Sequence, residues 1–143
     1  KAGAPVHDLG TFARAHPLSV LVVDDNEVNL KVITLTLGSL GYAPVDVDGA
    51  RAALAKLHDH AFDVALVDVM MPEISGLELT RRVRAGEAGE LNRHVPVIAL
   101  TAAVLEEDRL ACAAAGMNDF LMKPVRRDEL MTKLAALKSP PPV

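Results

Sequence analysis

The sequence predicts an α/β domain built as a doubly wound, five-stranded parallel sheet, and three features carry that prediction. Between Ser19 and Lys138, short apolar runs alternate five times with longer amphipathic stretches, as right-handed strand-helix-strand crossovers require. Two of the runs, Ser19–Asp24 (SVLVVD) and Val64–Asp68 (VALVD), are almost unbroken, the mark of strands covered by helices on both faces. Polar residues gather where the runs end, at Asp24, Asp25, Asp68, Thr101 and Lys123. In open α/β sheets that rim is where ligands bind.

Each element follows from its local composition. Ser19–Asp24 and Val64–Asp68 read as central strands. Ala43–Val47 (APVDV) contains Pro44 and Asp46, which a central strand tolerates poorly and an edge strand uses for protection. Val97–Thr101 (VIALT) and Asp119–Met122 (DFLM) complete the set. The first helix has Asn26 as its cap, an apolar stripe at Leu30, Ile33, Leu37 and Leu40, and Gly41 to stop it. Further helices are expected over Ala50–Asp59, Leu77–Ala85, Glu106–Ala115 before Gly116, and Asp128–Lys138 before Pro140. Residues 1–17 mix Gly, Pro, His and Ala without period and read as a linker from a longer protein. Residues 18–138 form the domain, and 139–143 (SPPPV) read as a disordered tail.

Composition narrows the function classes. The chain has 143 residues, 50% of them apolar, enough for one domain with its own core. A net charge of −4 with scattered Lys and Arg lacks the basic stripe that nucleic-acid binding uses. No apolar run approaches the roughly 20 residues of a membrane helix, so direct membrane contact by this domain is not expected. A single cysteine, Cys112, excludes an internal disulfide, reads as a small core residue and fits the reducing cytoplasm.

The rim residues suggest a chemistry. Three carboxylates crowded within about 4 Å repel by several kcal/mol at an effective dielectric near 20, unless a cation neutralises them. All-oxygen ligands favour a hard ion, Mg²⁺, and the five histidines show no zinc spacing. Magnesium beside a lysine ammonium and a threonine hydroxyl suits phosphoryl oxygens.

The segments VVDDNEVNL, VALVDVMMPEISGLEL, VIALTA and DFLMKPV, in this order, resemble the receiver domain of two-component signalling. The resemblance spans Ser19 to Leu137, and DDNEVN, DVMMPEISG and LTA are most similar to receivers of hybrid sensor histidine kinases. It implies a flavodoxin-like (CheY-like) sheet of order 2-1-3-4-5 with five helices. It makes Asp68 the phosphoacceptor, Asp25 a metal ligand, Asp24 a second acidic partner acting through water, and Met70 the donor of a backbone carbonyl to the metal. Lys123 would pair with the phosphoryl group ahead of a cis bond to Pro124, and Thr101 and Phe120 match the family's switch pair. Ala102 is small, as access to the phosphoryl group requires, Gly76 fills the family's loop glycine position, and Pro72 shapes that loop.

The resemblance implies that Asp68 takes a phosphoryl group from a phosphohistidine and that the added charge draws in Thr101, lets Phe120 turn inward and alters a surface. The domain would catalyse only its own phosphorylation and dephosphorylation. Its partners would be a histidine kinase domain, a histidine phosphotransfer protein, or both; dimerisation is left open. Met70 and Ala103 stand where the family tunes hydrolysis, and neither can orient a water, so slow self-dephosphorylation is expected. His58, His60 and His94 read as solvated, Arg81, Arg82 and Arg84 as an exposed helix face, and Met117 and Met122 as core filler. The chief alternative is a pseudo-receiver, an interaction module independent of phosphorylation. A phosphatase would want an acid at Asn26, and dinucleotide binders a Gly-rich loop after the first strand.

Overall fold

Strands that bury both faces must receive a helix layer on each, and the chain supplies one helix after every strand. The computed structural model describes residues 12–102 and 105–138. Its strands are β1 (Val20–Val23), β2 (Val45–Val47), β3 (Val64–Asp68), β4 (Val97–Thr101) and β5 (Asp119–Met122). Its helices are α1 (Glu27–Ser39), α2 (Ala50–Asp59), α3 (Gly76–Arg84), α4 (Glu106–Ala115) and α5 (Arg127–Lys138). The sheet order is β2-β1-β3-β4-β5, with every pairing parallel. The edge position expected for Ala43–Val47 is borne out.

Alternate residues of each strand feed opposite cores. Leu21, Val23, Ala65, Val67, Val97 and Ala99 pack with Ala53 and Leu57 of α2 and with Leu79 and Val83 of α3. Val20, Val22, Val64, Leu66, Ile98 and Leu100 meet Leu30, Ile33 and Leu37 of α1 and Leu130 and Leu134 of α5. From β1 the chain winds outward to β2 in one direction and through β3 to β5 in the other. The crevice between the carboxyl ends of β1 and β3 is therefore the switch point where such sheets bind ligands.

Helix ends follow the expected chemistry, with small shifts. Asn26 caps α1, its Oδ1 accepting the Asn29 N–H at 3.0 Å. Leu40 closes that helix, and Gly41 follows with φ 102°, a left-handed turn suited to glycine. Helix α3 starts one residue before its expected position because the Ser75 hydroxyl accepts the Glu78 N–H at 3.2 Å. Gly116 ends α4 with φ 103°.

Four expectations need revision or comment. A helical turn over residues 12–15 precedes β1, giving six helical segments among the described residues where five were expected. The Ala13 N–H donates to the Leu40 carbonyl at 3.0 Å, and Phe12 packs edge-on against Tyr42 at 6.2 Å. Phe12 thus packs against the core that contains Tyr42, a partner that an aperiodic sequence could not announce. The remainder of the expected linker, 1–11, and the expected tail, 139–143, lie outside the described residues. Met122 is 48% exposed and does not fill the core, since it stands on the edge strand β5; Met117 is buried as expected. Arg84 is not on the exposed face with Arg81 and Arg82. Its half-buried guanidinium donates to the Gly116 carbonyl at 2.8 and 3.1 Å, the Arg93 carbonyl at 2.9 Å and Asn118 Oδ1 at 3.0 Å.

Replacing Arg84 by Met keeps the aliphatic stem and removes those donors. Urea denaturation is expected to show a loss of about 1–3 kcal/mol, against less than about 0.5 kcal/mol for Arg81→Met on the exposed face.

Candidate functional site

The carboxyl ends of β1 and β3 bring two aspartates into one enclosure. Asp24 leaves β1 fully buried, at 0% exposure, and Asp68 ends β3 at 3%. Asp24 Oδ1 accepts the Asn26 N–H at 2.9 Å, so the turn into α1 fixes one oxygen. Asp25 beside it is exposed. One oxygen from each of Asp24, Asp25 and Asp68 lies within 4.8 Å of the other two, somewhat looser than the roughly 4 Å crowding assumed from sequence.

The charge that holds this cluster comes from the far strand. Lys123, just after β5, places Nζ 3.0 Å from Asp68 Oδ1 and 3.3 Å from Asp24 Oδ2. Its own N–H donates to the Thr101 carbonyl at 2.7 Å, and the Lys123–Pro124 bond is cis. Burial pushes the Asp68 carboxyl up to about 6, and the nearby Asp24 adds to the rise against the opposing hydrogen bond and charge of Lys123 and the Met70 N–H. Burial pulls Lys123 down, but the Asp68 hydrogen bond and the two carboxylate charges outweigh it and hold the ammonium above the usual lysine range.

One ammonium cannot neutralise three carboxylates, and the geometry shows where a second cation fits. Asp24 Oδ2 is enclosed and makes no hydrogen bond among the described residues, its charge partner being Lys123. A buried carboxylate oxygen whose charge is met only by the shared Lys123 ammonium, a second oxygen donor on exposed Asp25 and a third on Asp68 form an all-oxygen set that suits a hydrated Mg²⁺.

The β3–α3 loop frames the other side. The Met70 N–H donates to Asp68 Oδ1 at 3.2 Å, while its side chain is 78% exposed. The Gly76 N–H donates to the Val69 carbonyl at 2.9 Å. A Cβ at Gly76 would collide with the carbonyl oxygen of Asp68, which explains a glycine at this position. The loop also carries Glu73 at φ 68°, a left-handed conformation uncommon for a side-chain-bearing residue.

Thr101 at the end of β4, Ala102 after it and Phe120 on β5 line one groove of about 660 Å³. Phe120 is half-buried, with the Arg109 guanidinium of α4 5.2 Å and the Lys133 ammonium of α5 5.4 Å from its ring centre. Sequence reasoning missed both cations, because no linear spacing links positions on two helices to a strand between them. Ala103 lies outside the described residues. The structure thus gathers Asp24, Asp25, Asp68, Met70 and Lys123 at one rim, with Thr101, Ala102 and Phe120 along the adjoining groove.

A carboxyl raised in the folded state from its ordinary 3.8 to about 6 costs stability while it is ionised. That cost is complete above the folded value and fades as the pH falls through about 6 towards 4. In magnesium-free buffer, Asp68→Asn is therefore expected to melt no lower than the unmodified chain at about pH 7.5, with any advantage shrinking by about pH 5. Thermal melts in chelator across that range check it; a variant clearly less stable at the higher pH contradicts it.

Comparison with known proteins gives the setting. The family model of the response regulator receiver domain matches residues 20–135. Virulence sensor protein BvgS of Bordetella bronchiseptica is 43% identical over 132 residues, covering 87% of this chain and 11% of that protein. Sensor protein GacS of Pseudomonas syringae pv. syringae is 34% identical over 140 residues, covering 94% and 15%. The chain thus spans well under a fifth of either relative's length. Among solved structures, the receiver domain of sensor histidine kinase PA1611 from Pseudomonas aeruginosa PAO1, with magnesium coordinated in its active site cleft, matches with TM-score 0.77 and 41% identity over 85% of this chain and 98% of that one. Chemotaxis protein CheY4 of Vibrio cholerae matches with TM-score 0.76 and 30% identity over 83% and 97%. With a family model across most of the chain, relatives among sensor kinases and a shared sheet order, this chain belongs to the response regulator receiver domains of two-component signalling.

Proposed function

We propose that Asp68 accepts a phosphoryl group from a phosphohistidine donor in a magnesium-dependent reaction, and that the domain, residues 18–138, relays or signals it. The observation that carries this reading is the pairing of a buried Asp68 carboxylate with Lys123 Nζ at 3.0 Å beside two further carboxylates. Asp24, Asp25, Asp68 and the Met70 carbonyl would hold the metal. When bound, Mg²⁺ supplies positive charge that offsets repulsion between the carboxylates and the phosphoryl oxygens.

A carboxylate oxygen of Asp68 forms the new bond to phosphorus while the bond from phosphorus to the donor imidazole breaks, its electron pair returning to the ring. Lys123 stays paired with the oxygens as charge passes onto the phosphoryl group, and the Thr101 hydroxyl donates to it. The acyl phosphate adds roughly −1.5 to −2 of charge. The Thr101 hydroxyl moves towards it, Phe120 turns into the vacated space, and the surface of α4, β5 and α5 changes.

The donor is a histidine kinase domain, and a histidine phosphotransfer protein is the onward acceptor. A hybrid sensor kinase as parent fits the similarity to BvgS and GacS. The domain's own chemistry is confined to gaining and losing its phosphoryl group. Nucleic acid is not among the partners proposed, given the net charge of −4.

Intact mass after incubation with Mg²⁺ and acetyl phosphate is expected to rise by one phosphoryl group, and Asp68→Asn to abolish the gain. Folded protein that gains nothing would favour a phosphorylation-independent interaction module. The thioether of Met70 and the methyl group of Ala103 cannot orient a water for in-line attack, so the phosphoryl half-life is expected to be minutes or longer. Decay within seconds in Mg²⁺ would overturn that expectation.

A further inference from the structure

The two cations against Phe120 have no part in the phosphoryl chemistry, yet they meet at the one aromatic ring that the proposed switch moves. Arg109 reaches it from α4 and Lys133 from α5, at 5.2 and 5.4 Å from the ring centre. Both lie inside the distance at which a cation is attracted to an aromatic face. Each also has an acid nearby. Lys133 Nζ donates to Asp119 Oδ1 at 2.7 Å, next to Phe120 in sequence, and Arg109 lies 3.9 Å from Glu106 one turn back on α4. The ring lines a groove of about 660 Å³ that Thr101, Cys112 and Met117 also border. Packing alone therefore does not oblige the ring to stay between the helices.

We propose that Arg109 and Lys133 act as positioning residues, a cation–π clamp that holds Phe120 in its resting place and so sets how readily the domain adopts its phosphorylated form. A ring withdrawn towards Thr101 gives up both contacts unless α4 and α5 follow it. The clamp therefore stabilises the resting state selectively, and a ligand that binds only the other state binds more weakly by the fraction of chains already released. This inference rests on the phosphoacceptor reading above and adds what opposes the switch.

The sign of the effect separates the clamp from simple electrostatics. Loss of two positive charges near the rim would, through the field alone, weaken binding of an anion. Loss of the clamp strengthens it. The probe is beryllofluoride with Mg²⁺, a phosphoryl mimic that binds carboxylates, titrated into the full chain and read by ¹⁹F resonance. For Arg109→Gln/Lys133→Gln the expected result is binding about fivefold to tenfold tighter than the unmodified chain. Arg109→Lys, which keeps a cation for the ring, is expected to stay within about twofold. In a Phe120→Leu background, the same two Gln substitutions are expected to give no tightening.

Unchanged or weaker binding by the double variant overturns the clamp, as does equal tightening without the Phe120 ring. If the unmodified chain neither binds beryllofluoride nor takes phosphate from acetyl phosphate, the phosphoacceptor reading fails first. If it does both while the variants leave affinity unchanged, only the clamp fails.

Discussion

A single ammonium shared by two enclosed carboxylates governs the geometry of this domain. Lys123 follows β5, Asp68 ends β3 and Asp24 follows β1, so their meeting requires three segments far apart in sequence to end at one level. The parallel ladders fix that level, Val23 pairing with Val67 and Asp68 with Leu100. A shift of one residue in β1 or β3 would draw its rim aspartate towards an apolar core and bring a valine to the rim. The cost of keeping the two acids together falls on the protonation of Asp68 and on the appetite of the cluster for cations.

Around that group, small details act as spacers. The Asn26 N–H holds Asp24, the Met70 N–H holds Asp68, and Gly76 lets the start of α3 press against the Asp68 backbone. None of these contacts is strong alone. Their joint effect is to fix carboxylate oxygens that would otherwise rotate apart to relieve repulsion.

Much of this was legible in the sequence because the fold is periodic and the rim is not. Unbroken apolar runs marked β1 and β3, Pro44 and Asp46 marked an edge, and Asn26 and Gly116 marked helix ends. Asp24, Asp25, Asp68, Thr101 and Lys123 stood out because each followed an apolar run. Arg84 looked like its exposed neighbours Arg81 and Arg82, since helical spacing does not say that a loop carbonyl at Arg93 and a helix end at Gly116 will converge on it. Phe12 lay in a stretch without period, and its partner Tyr42 is 30 positions away. Arg109 and Lys133 were invisible for the same reason: contacts through space between separate helices leave no trace in local pattern.

The hydrogen bonds of Arg84 also have a mechanical meaning. They pin the carboxyl end of α4 at Gly116 to the end of α3, leaving the opposite end of that helix beside the rim. A helix of 10 residues is about 15 Å long. Fastened at one end, it would pivot, if pushed, about Gly116. A tilt of a few degrees would hardly disturb the core near Met117, yet it would sweep the far end, where Leu105 and Glu106 lie, through the widest arc. Displacement would thus be greatest where the groove meets the carboxylate rim and least where the sheet would have to yield.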